Sequence, residues 1–250
     1  MKYVVLVWLN LAFYAGLVLF TLVAVPLWTV WVTLFGLLCG RRAALRRMRR
    51  AISWYGKVVI WVLPFPWVRV RYRELEVESS PGPYLWICNH RSSSDPFLLG
   101  CVPHEGVQVV NIWPFRLPVW GPLARLAGYL SVREMPAEEF LARSARLLAE
   151  GVSIGAFPEG TRSTGREMGP FHSIMFRLAL MTKVPIAPIC ILGNERIPPR
   201  GSMALRPGTI RIHRLPALRW EQYKDLDAFR LKNRVRDLIA AELARMEETP

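Results

Sequence analysis

Between Tyr3 and Cys39 the sequence carries no charged residue. About 20 consecutive apolar residues span a bilayer core, and this run is nearly twice that length. The apolar region of a secretory signal is only about 7 to 15 residues long, and Ala24-Val25-Pro26 is a poor cleavage site. The run is therefore read as a retained membrane anchor. Pro26 lacks a backbone donor and disfavours helical geometry just before it. It is expected to divide the run into Val4–Val25 and Leu27–Cys39. One kinked spanning helix and a hairpin entering and leaving one leaflet both fit. Either way, the Arg41–Arg50 cluster that follows should stay cytoplasmic.

The charge distribution selects the partner. The chain has 33 basic and 19 acidic residues, a net charge of +14. No acidic residue precedes Glu74, whereas Lys2, Arg41, Arg42, Arg46, Arg47, Arg49, Arg50, Lys57, Arg69, Arg71 and Arg73 do. The excess sits beside the apolar run, so the expected partner is the headgroup layer of an anionic leaflet, each charge contributing about 1 kcal/mol there. No helix-turn-helix, zinc-finger or RNP-like pattern accompanies it, so nucleic acid is not expected. Ala51–Val68 mixes Trp54, Tyr55, Trp61 and Trp67 with aliphatics and reads as an interfacial helix; a core helix is the alternative. Cys39, Cys88, Cys101 and Cys190 show no paired spacing and read as buried thiols. No metal-ligand spacing is present, and no cofactor is expected.

From residue 65 the pattern is that of a single α/β domain, with a mostly buried mixed sheet flanked by helices; residues 1–64 form the anchor and interfacial segment. Val68–Tyr72 alternates with period two. Tyr84–Cys88, Val107–Val110, Tyr129–Val132, Val152–Phe157, Val184–Leu192 and Thr209–His213 are further expected strands. Pro136–Glu150 and Leu226–Met246 are expected helices. Glu242 interrupts the apolar face of the second, so its final turn is expected to be partly exposed.

Two segments carry chemistry. Asn89-His90-Arg91-Ser92-Ser93-Ser94-Asp95 directly follows an expected strand, where α/β sheets form sites. A carboxylate five positions after a histidine can fix its tautomer and make a general base for an alcohol, although a capping Asp near an unrelated His has the same spacing. Phe157-Pro158-Glu159-Gly160-Thr161-Arg162-Ser163 ends another expected strand and offers a turn, a hydroxyl and an Arg fork to an anionic group.

Together these segments resemble the glycerolipid acyltransferase family, most of all its 1-acylglycerol-3-phosphate branch. Asn89, His90 and Asp95 match its Asn-His-x-x-x-x-Asp block, and residues 157–163 match its Phe-Pro-Glu-Gly-Thr-Arg-Ser block unchanged. Pro118, Gly121, Gly128 and Arg133 match a further block, and Val184-Pro185-Ile186-Ala187-Pro188 a late one. The resemblance covers about residues 65 to 215. It implies direct transfer of a fatty acyl group from acyl-CoA or acyl-carrier protein to the hydroxyl of a lyso-lipid, 1-acylglycerol-3-phosphate giving phosphatidic acid. His90 would be the base and Asp95 its orienter. Glu159, Gly160, Thr161 and Arg162, with Arg133, would hold the acceptor. Two positions depart from the family pattern. Asn111 stands where a lysine is usual, and Phe171-His172-Ser173-Ile174 replaces Phe-Lys-x-Gly. They point either to another lyso-lipid acceptor, such as a lyso-aminolipid, or to compensation by Arg116 or Arg133.

Two other classes compete. A serine lipid hydrolase would use Ser92, Ser93 or Ser94, but lacks a Gly-x-Ser-x-Gly elbow. A non-catalytic lipid binder would not need His90, Asp95 and Glu159. The expected location is a membrane, the bacterial inner membrane in view of the arginine-rich composition, with the catalytic domain on its cytoplasmic face.

Overall fold

The computed structural model describes residues 2–75, 82–116, 120–163, 167–199 and 201–248. Pro118 therefore lies outside the described residues. In chain order the elements are α1 (Lys2–Cys39), α2 (Arg41–Lys57), β1 (Val68–Glu74), β2 (Leu85–Cys88), α3 (Asp95–Leu98), β3 (Gly106–Gln108), α4 (Trp120–Ala127), α5 (Ala137–Ala149), β4 (Ser153–Ala156), α6 (Ile174–Thr182), β5 (Ile186–Leu192), β6 (Gly208–Arg214), α7 (Trp220–Tyr223) and α8 (Ala228–Glu248). Six strands form one mixed sheet in the order β1-β6-β5-β2-β4-β3. Its centre is parallel: β2 pairs with both β4 and β5, and β3 with β4. β6 runs antiparallel to β5. The expected α/β class is what the chain adopts.

The chain divides into two compact units. One comprises residues 1–71, 92–103 and 193–210; the other comprises 72–91, 104–192 and 211–250.

In the first unit α1 continues unbroken through Pro26, contrary to the expected division. Pro26 removes one bond of the ladder, the one its amide would give to the Leu22 carbonyl, and the helix continues on either side. Thr21 and Thr29 donate to the carbonyls of Leu17 and Val25 at 2.7 and 2.8 Å. α1 is long and apolar enough to cross a membrane by length and composition. Tyr3, Trp8, Leu22, Leu37 and Leu38 are all exposed on it. Its partner is α2, which turns back at Gly40 (φ 83°), a left-handed conformation that glycine adopts without strain. Phe20 stacks on Tyr55 and Trp28 lies edge-on to Trp54. The Arg47 guanidinium sits 3.8 Å over the Phe35 ring, a cation–π contact. The arginine cluster expected before the interfacial helix is thus part of that helix, which passes into a π-turn at Val58–Val62.

At the start of α1, Asn10 exchanges two hydrogen bonds with Leu205 (3.1 and 2.7 Å), and Tyr14 Oη donates to the Met203 carbonyl. Close approach fixes α2 to the segment beginning at α3. A Cβ on Gly56 would lie 3.0 Å from the Phe97 carbonyl oxygen, and one on Gly100 would lie 2.5 Å from that of Ser53.

In the second unit, the apolar central strands are covered by α5, α6 and α8, whose inward residues include Phe140, Leu148, Phe176, Leu178, Leu231, Val235 and Ile239. Tyr129–Val132 does not form a strand; one bridge, Val109 to Leu130, is all it makes. Glu242 is buried, not exposed. It accepts from His213 Nδ1 at 2.7 Å and lies 3.5 Å from Arg245, so a polar residue on the buried face is paired instead of solvated. Cys88, Cys101 and Cys190 are buried as expected, but Cys39 is exposed. Burial pushes the Cys101 thiol up to about 11 and the Cys190 thiol higher still, Glu242 adding to the second. Neither thiol is poised as a nucleophile.

Candidate active site

The parallel pair β2 and β4 ends in register, Ile87 beside Ala156, so the segments leaving them emerge side by side. Both sequence blocks therefore leave neighbouring strand ends, where open α/β sheets place ligands. Asn89, fully buried, terminates β2. Its side chain donates to the Ile191 carbonyl at 2.9 Å and accepts from the Ile191 amide at 2.8 Å. The side-chain amide thus imitates a peptide unit and carries the β2–β5 ladder one step past its last backbone pair.

His90 follows, half-buried, with its ring 4.7 Å from that of Phe157. Its backbone is held on both sides by the second block. The His90 amide donates to Glu159 Oε1 at 2.8 Å, and the Ser163 amide donates to the His90 carbonyl at 2.8 Å. Glu159 is buried, and its other oxygen accepts from Ser163 Oγ at 2.5 Å and from the Gly169 amide at 3.0 Å. Three protein donors on one carboxylate satisfy a buried anion. Expected among the acceptor-holding residues, Glu159 is occupied as a brace between the two blocks.

Gly160 and Thr161 are exposed and Arg162 is half-buried. Gly160 has φ +68°, and a Cβ there would lie 3.0 Å from His172 Nε2. The turn therefore needs glycine both for its backbone and for the imidazole against it. His172 is tied to the same turn, its amide donating to the Pro158 carbonyl at 2.8 Å. One of the two departures from the family pattern thus touches the Pro-Glu-Gly turn itself; the other, Asn111, is exposed and caps the Ile112 amide at 2.7 Å. Arg133 is exposed on the turn after Leu130, its amide donating to Ser131 Oγ at 3.3 Å.

Asp95 belongs to the first unit and is fully buried at the start of α3, with Pro96 next. Its carboxylate accepts from the Ser92 amide at 2.9 Å and from the side-chain amide of Asn194. Asn194, also fully buried, was not singled out from the sequence; an isolated Asn-Glu after an apolar strand carries no motif. The serines are spent locally. Ser92 and Ser94 are buried, their hydroxyls 3.1 Å apart, and Ser92 Oγ also reaches the Ile197 and Pro198 carbonyls at 3.4 Å. Buried hydroxyls engaged in this way are structural, which argues against Ser92 and Ser94 as nucleophiles. Ser93 alone is exposed.

Among known proteins, residues 69–192 match the Acyltransferase family. The chloroplastic 1-acyl-sn-glycerol-3-phosphate acyltransferase of Brassica napus is 31% identical over 153 residues, covering 59% of this chain and 44% of that one. The chain thus spans less than half the length of that relative. The 1-acyl-sn-glycerol-3-phosphate acyltransferase alpha of Ovis aries is 28% identical over 91% of this chain and 76% of its own. The crystal structure of the 1-acyl-sn-glycerophosphate (LPA) acyltransferase, PlsC, from Thermotoga maritima shares the fold, with a TM-score of 0.80 over 99% of this chain and 98% of that one, at 19% identity.

Proposed function

The chain belongs to the acyltransferase family, and from that premise we propose that it moves a fatty acyl group from a thioester carrier onto the free hydroxyl of 1-acylglycerol-3-phosphate. The observation that carries this reading is the clasp on His90. An imidazole at the end of a parallel strand, with its amide and carbonyl both bonded to the Glu159–Ser163 turn, is a preorganised base beside an anion-binding loop. His90 takes the proton from the acceptor hydroxyl as the oxygen attacks the thioester carbonyl. The new ester forms as the carbon–sulfur bond breaks, and the carrier leaves as its thiol. General-base help of this kind contributes about 10² to 10⁴ in rate. Asp95, five residues on, orients the imidazole and stabilises its protonated form. Thr161 and Arg162 take the acceptor phosphate, the guanidinium fork matching its oxygens. Arg133 adds charge at the rim.

The membrane reading follows from the hairpin of the first unit. α2 carries six arginines and packs along the second half of α1, with Gly36 against Ala44 and Arg47 over Phe35. Each arginine placed at a bilayer centre costs roughly 2.5–3.5 kcal/mol, so a fully spanning α1 would carry its partner into an unfavourable environment. The hairpin instead lies in one leaflet, with α1 against the acyl chains and the arginines at the headgroups of the anionic cytoplasmic face. A lipid acceptor then meets His90 already confined to the surface.

Purified protein incubated with labelled acyl-CoA and a panel of lyso-lipids tests the assignment. Phosphatidic acid should be the dominant product. A dominant product from a lyso-aminolipid would move the acceptor to the alternative headgroup, and release of free fatty acid alone would replace transfer by hydrolysis.

A further inference from the structure

We infer that Arg236, on the C-terminal helix, is a positioning residue for the transfer reaction, acting on His90 through Gly169 and Glu159. The inference rests on His90 being the base, as proposed above. Arg236 lies at the edge of α8 beside buried Val235, its side chain about one-third exposed. Its Nη2 donates to the Met168 carbonyl at 2.8 Å and its Nε to the Gly169 carbonyl at 3.2 Å. One planar fork thus holds two successive carbonyls, a geometry that arginine supplies and lysine does not.

The consequence lies on the other side of that turn. With both carbonyls committed to α8, the Gly169 amide is directed at Glu159 Oε2, 3.0 Å away. Glu159 Oε1 accepts the His90 amide. Four residues from three distant parts of the sequence therefore form one hydrogen-bonded line from α8 to the base. Ser163 Oγ also bonds Glu159 Oε2, but Ser163 belongs to the same turn and ties it only to His90 itself, through the His90 carbonyl. Arg236 and the Met168–Gly169 turn supply an outside anchor. The Asp237 carboxylate lies 3.8 Å from the guanidinium and is exposed, so it leaves the fork on the two carbonyls.

Arg236→Ala should lower kcat about ten- to a hundredfold, the scale of a small misplacement of reacting groups, while the KM values for acyl-CoA and acceptor stay within about twofold. Amide hydrogen exchange should rise in the peptides containing His90 and Gly169 and stay unchanged in those of α1. Arg234→Ala on the same helix, whose side chain bonds only the Gln222 carbonyl at 2.6 Å among the described contacts, should change neither readout. Arg236→Lys should retain the melting temperature and show an intermediate kcat, which keeps the test decisive if the alanine variant folds poorly. Unaltered kcat, or unaltered exchange at His90, in a folded Arg236 variant would overturn the inference. The exchange measurement needs no turnover, so it decides the positioning claim even if His90 proves not to be the base.

Discussion

The backbone amide of His90 donates to Glu159 Oε1 at 2.8 Å, joining two sequence blocks that lie 69 residues apart. This bond gives the Pro-Glu-Gly-Thr-Arg turn two jobs. Its glutamate fixes the backbone of His90, and in the proposed mechanism its threonine and arginine serve the acceptor. The division accounts for an acidic residue within a loop proposed to hold an anionic lipid. Its charge is satisfied by three protein donors.

Glu159→Gln tests that division. A glutamine keeps one carbonyl oxygen for the His90 amide but presents an N–H₂ group to the Gly169 amide, donor against donor. The expected outcome is a fall in kcat of about 10²-fold with acceptor KM nearly constant. Steady-state kinetics varying each substrate in turn checks it. A large rise in acceptor KM with kcat preserved would return Glu159 to the acceptor site.

Asn89→Ala tests the ladder extension. The substitution leaves the buried Ile191 amide and carbonyl without partners, each costing about 1–3 kcal/mol. Unfolding in denaturant should show a loss of about 2–4 kcal/mol, with lower activity because His90 is the next residue. A variant as stable as the parent would mean that Ile191 finds other partners.

The membrane reading predicts a strong dependence on lipid charge. Arg41, Arg42, Arg46 and Arg50 are exposed on α2, and each contributes about 1 kcal/mol near an anionic surface. Replacing all four by glutamine should weaken flotation with vesicles rich in anionic lipid by about a hundredfold or more. Raised salt should reproduce part of the loss in the parent protein. Equal binding of parent and variant would place the headgroup contact elsewhere.

What the sequence disclosed follows the physics of each segment. β5 was legible because Ile186–Leu192 is apolar throughout, as a strand buried on both faces must be. β1 was legible because its alternation matches one covered face. The continuous α1 was not, since Pro26 argues locally for a break while the flanking apolar run and packing against α2 argue for one helix. Tyr129–Val132 has strand composition, yet Gly128 (φ 92°) and the turn beginning at Ser131 leave it room for a single bridge. α4 was missed because Gly121 and Pro122 disguise its first turn, and α6 because Ile174–Thr182 is apolar on nearly every face.

The site divides in the same way. His90, Asp95 and the Glu159–Arg162 turn are candidates that the motifs mark directly. Asn194 beside Asp95 and Arg236 behind Gly169 are not, because their pairings span 99 and 67 residues and no local pattern encodes them.

The most direct test is acyl transfer by His90→Ala in the same detergent or vesicle preparation as the parent, with vesicle association measured in parallel. Association should be unchanged, because the substitution lies outside the hairpin. Turnover should fall about 10² to 10⁴-fold. A variant that binds vesicles normally and still transfers acyl groups at the parental rate would contradict the assignment of His90 as the base.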